Sequence, residues 1–447
     1  MKTKIGNQED RDAIAIPPEF RLEEDLASAY HYMEFTGNSL FLTGKAGTGK
    51  SSLLNYFRKN TSKKNIVLAP TGLAALHVGG STIHSFFGFP LRPLLKNDPE
   101  IRPWASSHPK SRVIKKMQVL IIDEISMVRA DILDAIDYAL RINTNIELPF
   151  GGKQVIFIGD IFQLSPVVVR TGESYEDENS YESPYFFSAD AFRSLQPFII
   201  ELKKIYRQHD ESFIYLLNRI RSGIARADDF DEINRRYRDT ASIDDDFAIT
   251  LTSVNAIADL VNQKNLLALQ GQSFTFNAAI DGTFPEKLYP TVSRLTLKEG
   301  AQVMMVKNDL QGRWVNGSIG KIESLEEKVV RIRFQDGKVS EVEPVSWENK
   351  SYTWDKATNT IAFVTKGTYI QYPIRLAWAI TIHKSQGLTF DKVIIDVGRG
   401  AFAHGQLYVA LSRCKTFQGI SLKTAIQSKD MIVDEVVEYF AGKHRIG

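Results

Sequence analysis

Residues 44–51 read GKAGTGKS, preceded by the apolar run Leu40-Phe41-Leu42 and followed by a helical pattern on Leu53, Leu54 and Phe57. Glycine, four residues, then glycine, lysine and serine in a strand–loop–helix setting describe a phosphate loop. Gly44, Gly47 and Gly49 let the backbone bend until several amides face one point. The helix that follows adds the positive end of its dipole there. Lys50 can then reach the β- and γ-phosphates of a nucleoside triphosphate, and the Ser51 hydroxyl can ligate Mg²⁺. Thr48 and Ser52 belong to the same cradle. The bland alternative, a Gly-rich turn with a solvated lysine, does not account for the flanking strand and helix patterns.

About seventy residues on, the apolar run Val119–Ile122 ends in Asp123 and Glu124. A continuous apolar run suits a parallel strand covered on both faces, and ligand chemistry in open α/β sheets lies beyond the carboxyl ends of such strands. Asp123 suits Mg²⁺, and Glu124 suits polarising the attacking water. Alone, the pair would read as a helix cap with a first-turn acid; after a phosphate loop it reads as chemistry.

Working outward, the runs Leu40–Thr43, Ile66–Ala69, Val119–Ile122 and Val155–Ile158 alternate with helical patterns. The alternation predicts a parallel sheet with helices on both faces. Five prolines (Pro90, Pro93, Pro99, Pro103, Pro109) break the pattern between Gly88 and Lys116, a small insertion without its own core. A second set of runs, Ile199–Leu202, Ala248–Thr252, Leu376–Thr381, Val393–Asp396 and Ile420–Leu422, predicts a second α/β domain. It is interrupted at 271–370 by β-like texture: Val303–Val306, strict alternation over Val330–Phe334, then Asp336-Gly337 as a hairpin turn.

The 447 residues suffice for two or more domains, and 43% apolar with 24% charged residues describes a globular chain. No run is long enough to span a membrane, and the polar start MKTKIGNQEDRD carries no secretory signal. One cysteine, Cys414, excludes an internal disulfide and fits a reducing, cytoplasmic setting. Net charge is only +2, so any polyanion groove must be local. Basic clusters at Arg58–Lys64, Lys110–Lys116 and Arg235–Arg238 read first as solvated faces, and Glu173–Glu182 as an acidic surface loop.

Three further features separate a motor from other phosphate-loop enzymes. Gly159-Asp160 follows the fourth strand, and Gln163 sits three residues on, where it could sense a γ-phosphate. Arg207 lies in YRQ and Arg413 in YVALSRC; an arginine reaching the γ-phosphate from a second domain makes closure depend on nucleotide. With APTGLAA (69–75), STIHSFFG (81–88), VLIIDEISM (119–127), GDIFQLSPV (159–167) and AITIHKSQGLTF (379–390), the chain resembles superfamily-one group B helicases. Within them it resembles the Pif-type DNA helicases related to RecD, of bacterial kind. PFGGKQVIFIGDIFQL (149–164) resembles the Pif-type signature, and LKEGAQVMMVKND with WVNGSIGKI the family's inserted barrel.

That resemblance implies two tandem RecA-like parallel-sheet motor domains, 1–87 with 117–190 and 191–270 with 371–447. It implies a small wedge insertion at 88–116 and an SH3-like β-barrel at 271–370. Lys50, Ser51, Asp123, Glu124, Gln163, Arg207, Gln386, Gly387 and Arg413 would form the ATP site. Thr71, His84, Ser85, Thr381, His383 and Lys384 would face single-stranded DNA, and Phe86, Phe87 and Phe89 would offer stacking faces. The implied activity is ATP-driven, Mg²⁺-dependent 5′→3′ translocation that unwinds duplex, forked, G-quadruplex or RNA–DNA hybrid substrates. Its settings would be replication, repair, recombination or telomere-type maintenance. The protein would act as a nucleoid-associated monomer that can dimerise on DNA. One departure stands out: FRLEEDLASAYHYMEF (20–35) lacks the glutamine with which the family reads adenine. The competing classes are a signalling-type GTPase or kinase, for which no NKxD element is found, and an ATP-clamped DNA-binding module without steady turnover.

Overall fold

The computed structural model describes residue 16 and residues 20–167, 181–208, 210–238, 246–309, 311–327, 329–398, 400–401 and 403–447. Most of the acidic stretch 173–182 lies outside them. The first sheet is built from β1 (Leu40–Gly44), β2 (Asn65–Ala69), β3 (Ser81–Thr82), β4 (Val119–Ile122), β5 (Gln154–Ile158) and β6 (Phe198–Leu202), all parallel in the order β3-β2-β4-β5-β1-β6. Their apolar runs are buried because helices cover both faces: Leu53, Leu54 and Phe57 on one side, Ile132, Leu133, Ile136 and Leu140 on the other. The carboxyl ends of β1, β4 and β5 deliver the phosphate loop, the acid pair and Gly159-Asp160 to one edge.

The second parallel sheet begins with β7 (Ile249–Thr252), after which the chain leaves for an all-β insertion. That insertion contains β8 (Phe274–Asn277), β9 (Ala279–Gly282), β10 (Arg294–Leu297), β11 (Gln302–Met305), β12 (Ile319–Leu325), β13 (Val330–Phe334), β14 (Val339–Val342), β15 (Val345–Asp355), β16 (Thr360–Gln371) and β17 (Ile374–Leu376). β14-β13-β12-β11-β17 form one antiparallel sheet around its own core of Val303, Met305, Trp314, Ile322, Ile332 and Ile374. The expected hairpin at Asp336-Gly337 joins β13 to β14, with Gly337 at φ 80°. The chain then returns through β18 (Ala379–Thr381), β19 (Val393–Asp396) and β20 (Ile420–Leu422), in the order β18-β7-β19-β20.

Four features depart from the boundaries expected from sequence. Residues 198–202 complete the first sheet as its edge strand beside β1, not the second. The run Leu376–Thr381 is two strands, since Leu376 pairs with Val303 in the inserted sheet and Ala379 with Thr250 in the second parallel sheet. The C-terminal helix Glu435–His444 packs on the first core, where Phe440 stacks on Phe187 at 4.2 Å between ring centroids. Finally, β15 and β16 form a long ribbon that crosses to the first domain. There the buried Tyr352 hydroxyl accepts from Val67 N (3.1 Å) and donates to Val67 O (3.2 Å).

A buried ion pair joins the two cores. Arg221, at the end of the helix Glu211–Arg221, meets Asp160 at 2.9 Å, and both side chains are 0% exposed. The guanidinium also lies over the Phe162 ring at 4.1 Å. Removing one member of a buried pair strands a charge and costs about 3–5 kcal/mol. Arg221→Met should therefore lower the denaturant midpoint, and the Asp160→Asn/Arg221→Met double variant should recover part of the loss. An Arg221→Met midpoint equal to the parent's would show that the pair does not hold the interface.

Candidate functional site

The phosphate loop is clamped from three directions. Gly44, Gly47 and Gly49 all have positive φ (148°, 80° and 88°). A Cβ at Gly47 would lie 2.5 Å from Arg207 Cβ, so glycine there admits a residue of the YRQ segment against the loop. Tyr206 N donates to Gly47 O at 2.8 Å. From the second α/β domain, Tyr408 Oη accepts from Ala46 N at 2.9 Å. Lys50 Nζ folds back onto Gly44 O (2.5 Å) and Lys45 O (2.9 Å). Burial lowers its proton affinity, with Asp160 and Glu124 pulling the other way.

Asp123 and Glu124 stand at the end of β4, where the turn forces Glu124 into left-handed backbone (φ 51°, ψ 45°). A non-glycine residue held there is a local strain of the kind that functional sites retain. Glu124 Oε2 accepts from Gln386 Nε2 at 2.8 Å, and the same nitrogen lies 3.2 Å from Gln163 Oε1. One glutamine of the second domain thus touches both Glu124 and Gln163 of the first. Burial pushes both carboxyls above the usual range; for Asp123 the Glu124 charge adds to it, and for Glu124 the Lys50 and Arg413 charges oppose it.

The arginines converge on the same cleft. Arg207 Nη1 lies 3.3 Å from Ser412 O. Arg413 is 1% exposed and held by Val409 O (2.9 Å) and Ser412 Oγ (2.7 Å). Burial and the neighbouring Arg207 charge push its pKa down to about 9. Together with Thr48, Ser51, Ser52, Gln163 and Gly387 these residues line a cleft of about 990 Å³, with Tyr206, Phe20 and Arg21 at one end. The cleft combines cations that repel one another with acids that lack full compensation, an arrangement suited to a polyphosphate carrying a divalent cation. Among the described residues no cluster of three His, Cys, Asp or Glu could itself cage a metal. The oxygen donors Ser51 and Asp123 fit a cation that also leans on phosphate oxygens.

The residues expected to face a strand divide. Thr71, His383, Lys384 and Gln386 share a hollow of about 310 Å³ whose walls include Ser51, Asp123 and Glu124, so this hollow and the phosphate-loop cleft share a wall. Thr381 is 4% exposed, and its hydroxyl accepts from Lys384 N at 3.3 Å; it shapes the turn that presents His383 and Lys384. Ser85 lines a different hollow beside the ribbon, together with Gly72 and Leu76. His84 is half-buried, edge-on to Phe89. Phe86, Phe87 and Phe89 are 4–6% exposed in the first core, so the stacking role expected for Phe86 does not hold. Sequence reasoning also missed Arg221, Tyr408 and Tyr206. The one signal for Arg221 was its place four residues after Leu217, on the apolar face of its helix.

Comparison with known proteins follows the same outline. The PIF1-like helicase family profile matches residues 24–229, and that of the UvrD-like helicase C-terminal domain matches residues 376–416. A mouse ATP-dependent DNA helicase PIF1 is 37% identical over 430 residues, covering 90% of this chain and 59% of the mouse protein. The chain spans about three-fifths of the length of the mouse, rat and human relatives it matches. A Bacteroides Pif1 crystal structure in complex with ADP-AlF4 superposes with TM-score 0.86 at 37% identity, covering 96% of this chain and 98% of that one. The same bacterial protein bound to ssDNA gives TM-score 0.69 at 37% identity, with the same coverage.

The site geometry separates binding from turnover. Glu124→Gln should keep Mg²⁺–nucleotide binding and lower kcat by roughly 10²–10⁴, the worth of a positioned general base. Lys50→Ala should lose binding itself. Equilibrium binding of a fluorescent nucleotide beside steady-state phosphate release reads both; near-normal turnover in Glu124→Gln would remove Glu124 from its role.

Proposed function

The chain belongs to the PIF1-like helicase family, and we propose from that footing that it is an ATP-driven motor that moves 5′→3′ on single-stranded DNA and opens duplex ahead of it. The observation that carries this is Gln386, whose amide reaches Glu124 and Gln163 across the cleft beside the hollow of His383 and Lys384. A change at the γ-phosphate is thereby felt where the strand is gripped.

Lys50 and the loop amides bind the triphosphate, and Ser51 and Asp123 would hold Mg²⁺. The cation supplies charge neutralisation at the phosphate oxygens. Glu124 orients the attacking water and takes its proton. Gln163 hydrogen-bonds the γ-phosphate only while it is present. Arg207 and Arg413 leave their carbonyl partners and stabilise charge on the leaving phosphoryl group. The exposed Tyr206 ring is the stacking face for the base. Thr71, His383 and Lys384 grip the strand through its backbone, and the all-β insertion is the family's SH3-like barrel. The residue 88–116 segment, as the wedge, meets the junction. Forked DNA is the leading substrate, with G-quadruplexes as a further one. The protein works where chromosomal DNA is accessible, as a monomer that can pair on DNA.

Polarity follows from the family resemblance alone, because the same nucleotide chemistry can drive either direction. Two duplexes that differ only in a 5′ or a 3′ single-stranded tail test it with ATP and Mg²⁺. The 5′-tailed duplex should open and the other should not. Preference for the 3′ tail would overturn the polarity, and DNA-insensitive hydrolysis with no opening would leave the ATP-clamped module. Arg207→Ala and Arg413→Ala should each lower kcat by roughly 10³–10⁵, the range for arginine fingers; weakened nucleotide affinity with kcat intact would contradict that role.

A further inference from the structure

Two basic clusters that are separate in sequence, Arg58–Lys64 and Lys110–Lys116, meet on one face where the β15–β16 ribbon docks. Lys64 Nζ and Lys116 Nζ both lie over the Trp354 ring, at 4.9 and 5.9 Å from its centroid. Lys153 Nζ is bonded to Lys115 O at 3.1 Å. Farther along the same helix, Lys110 Nζ donates to Ser85 O (3.0 Å) and Phe86 O (2.5 Å) and sits 4.8 Å over Trp104. Trp104 stacks on His108 at 4.5 Å. His108, Lys110 and the exposed Lys366 of β16 border a hollow of about 370 Å³, with the hydroxyls of Ser351 and Thr353 on its ribbon wall.

Among the described residues, no carboxylate pairs with Lys64, Lys110, Lys115, Lys116, Lys153 or Lys366. Elsewhere lysines are matched, as in Lys96–Asp190, Lys321–Asp246, Lys415–Asp391 and Lys423–Asp396. With 55 basic and 53 acidic residues the chain does not lack acids that could pair with them. The cations also oppose one another. Burial and then Lys366 push Lys110 down to about 8, and burial and then Lys110 and Lys366 hold His108 below its ordinary value. An anion in the hollow would relieve this repulsion. The basic face is also too extended for a single phosphate. Lys110 and Lys116 are six residues apart on one helix, about 9 Å along its axis, a span of two to three backbone phosphates. The aromatic faces are already covered by lysine or histidine, so the face suits backbone phosphates and not base stacking.

We propose that this seam is a second polynucleotide-backbone site, which holds a nucleic-acid strand other than the one gripped in the motor groove. The inference rests on the helicase reading above. It starts beside Ser85 and Phe86 and runs along the helix Pro109–Lys116 to Lys64, so a strand parted at the junction can be kept from rejoining. Binding there is sequence-independent and steeply salt-dependent.

The test uses the full chain with Lys64→Gln, Lys116→Gln and Lys366→Gln combined, three lysines outside the nucleotide and groove residues. Binding is measured on a two-tailed fork, on the same duplex with only its 5′ tail, and on a short single strand, each over a range of salt. Fork affinity should fall at least about tenfold, and its log–log salt slope should become shallower by about 2–3. Short-strand affinity and DNA-stimulated ATPase should stay at parental levels. Loss confined to the two-tailed fork identifies the displaced strand as occupant; equal loss on the one-tailed duplex identifies the duplex arm. Unchanged fork affinity and slope overturn the proposal, as does an equal loss on all three substrates. Failure of the parent protein itself to couple ATPase to DNA would sink the motor reading instead, which keeps the two outcomes apart.

Discussion

The fold depends on how it carries charge between two apolar cores. Lys50, Asp123, Glu124, Asp160, Arg207, Arg221 and Arg413 all occupy one desolvated seam. Charges removed from water must be matched or they raise the energy of the closed form. Only part of this set is matched from within. Asp160 and Arg221 satisfy each other, although Arg221 Nη1 finds no hydrogen-bond partner among the described residues. Lys50 and the two cleft arginines rest on backbone carbonyls, and the acid pair holds its protons more tightly than free carboxyls do. The unmatched remainder has the charge pattern of a polyphosphate with its cation. A nucleotide with its cation would therefore complete an electrostatic arrangement that the polypeptide leaves open.

The same seam is where the loop 159–164 ties the two cores together. The loop 159–164 contributes Ile161 and Phe162 to the first core and Leu164 to the second. His404 Nε2 lies 2.9 Å from Ile161 O, and a Cβ at Gly405 would collide with Phe162 O and Gln163 O. A pivot so closely packed can pass a small displacement of Gln163 directly to the helix Gln406–Ser412. The ribbon adds a second tie through the Tyr352 hydroxyl on Val67, and Gln302 of the insertion donates to Ala248 O beside β7, so the all-β insertion is anchored on both α/β domains.

Much of this was legible in the residues. GKAGTGKS and the acids after Val119–Ile122 could be placed because backbone bending, phosphate contact and metal ligation each demand a particular residue type at a fixed spacing. The inserted β unit was legible from period-two alternation and a turn dipeptide. The misplacements have a common physical origin. The apolar run at 199–202 shows that a strand is covered, not which sheet it joins, and here an edge position beside β1 decided. Phe86 looked available for bases because the family resemblance placed its motif at a strand, whereas packing against Phe87 and Tyr352 buried it. Arg221 carried almost no signal, because its importance comes entirely from a carboxylate sixty-one residues away. Similarly, the basic clusters near Lys64 and Lys110 could be judged only once the fold brought them onto one face.

The central claim is that nucleotide with its cation supplies charge that the cleft lacks, and proton linkage reads this most directly. Asp123, pushed up to about 7 by burial and the Glu124 charge, retains part of a proton near neutral pH. A cation and the straightened Lys50 lower that pKa on binding, so protons must leave. Calorimetric binding of a non-hydrolysable ATP analogue with Mg²⁺ at pH 7, repeated in buffers of different ionisation enthalpy, gives the number released. The account predicts net release, smaller in Glu124→Gln, and affinity that rises with pH through the raised carboxyl range. Net proton uptake, or a heat independent of buffer in the parent protein, would contradict it.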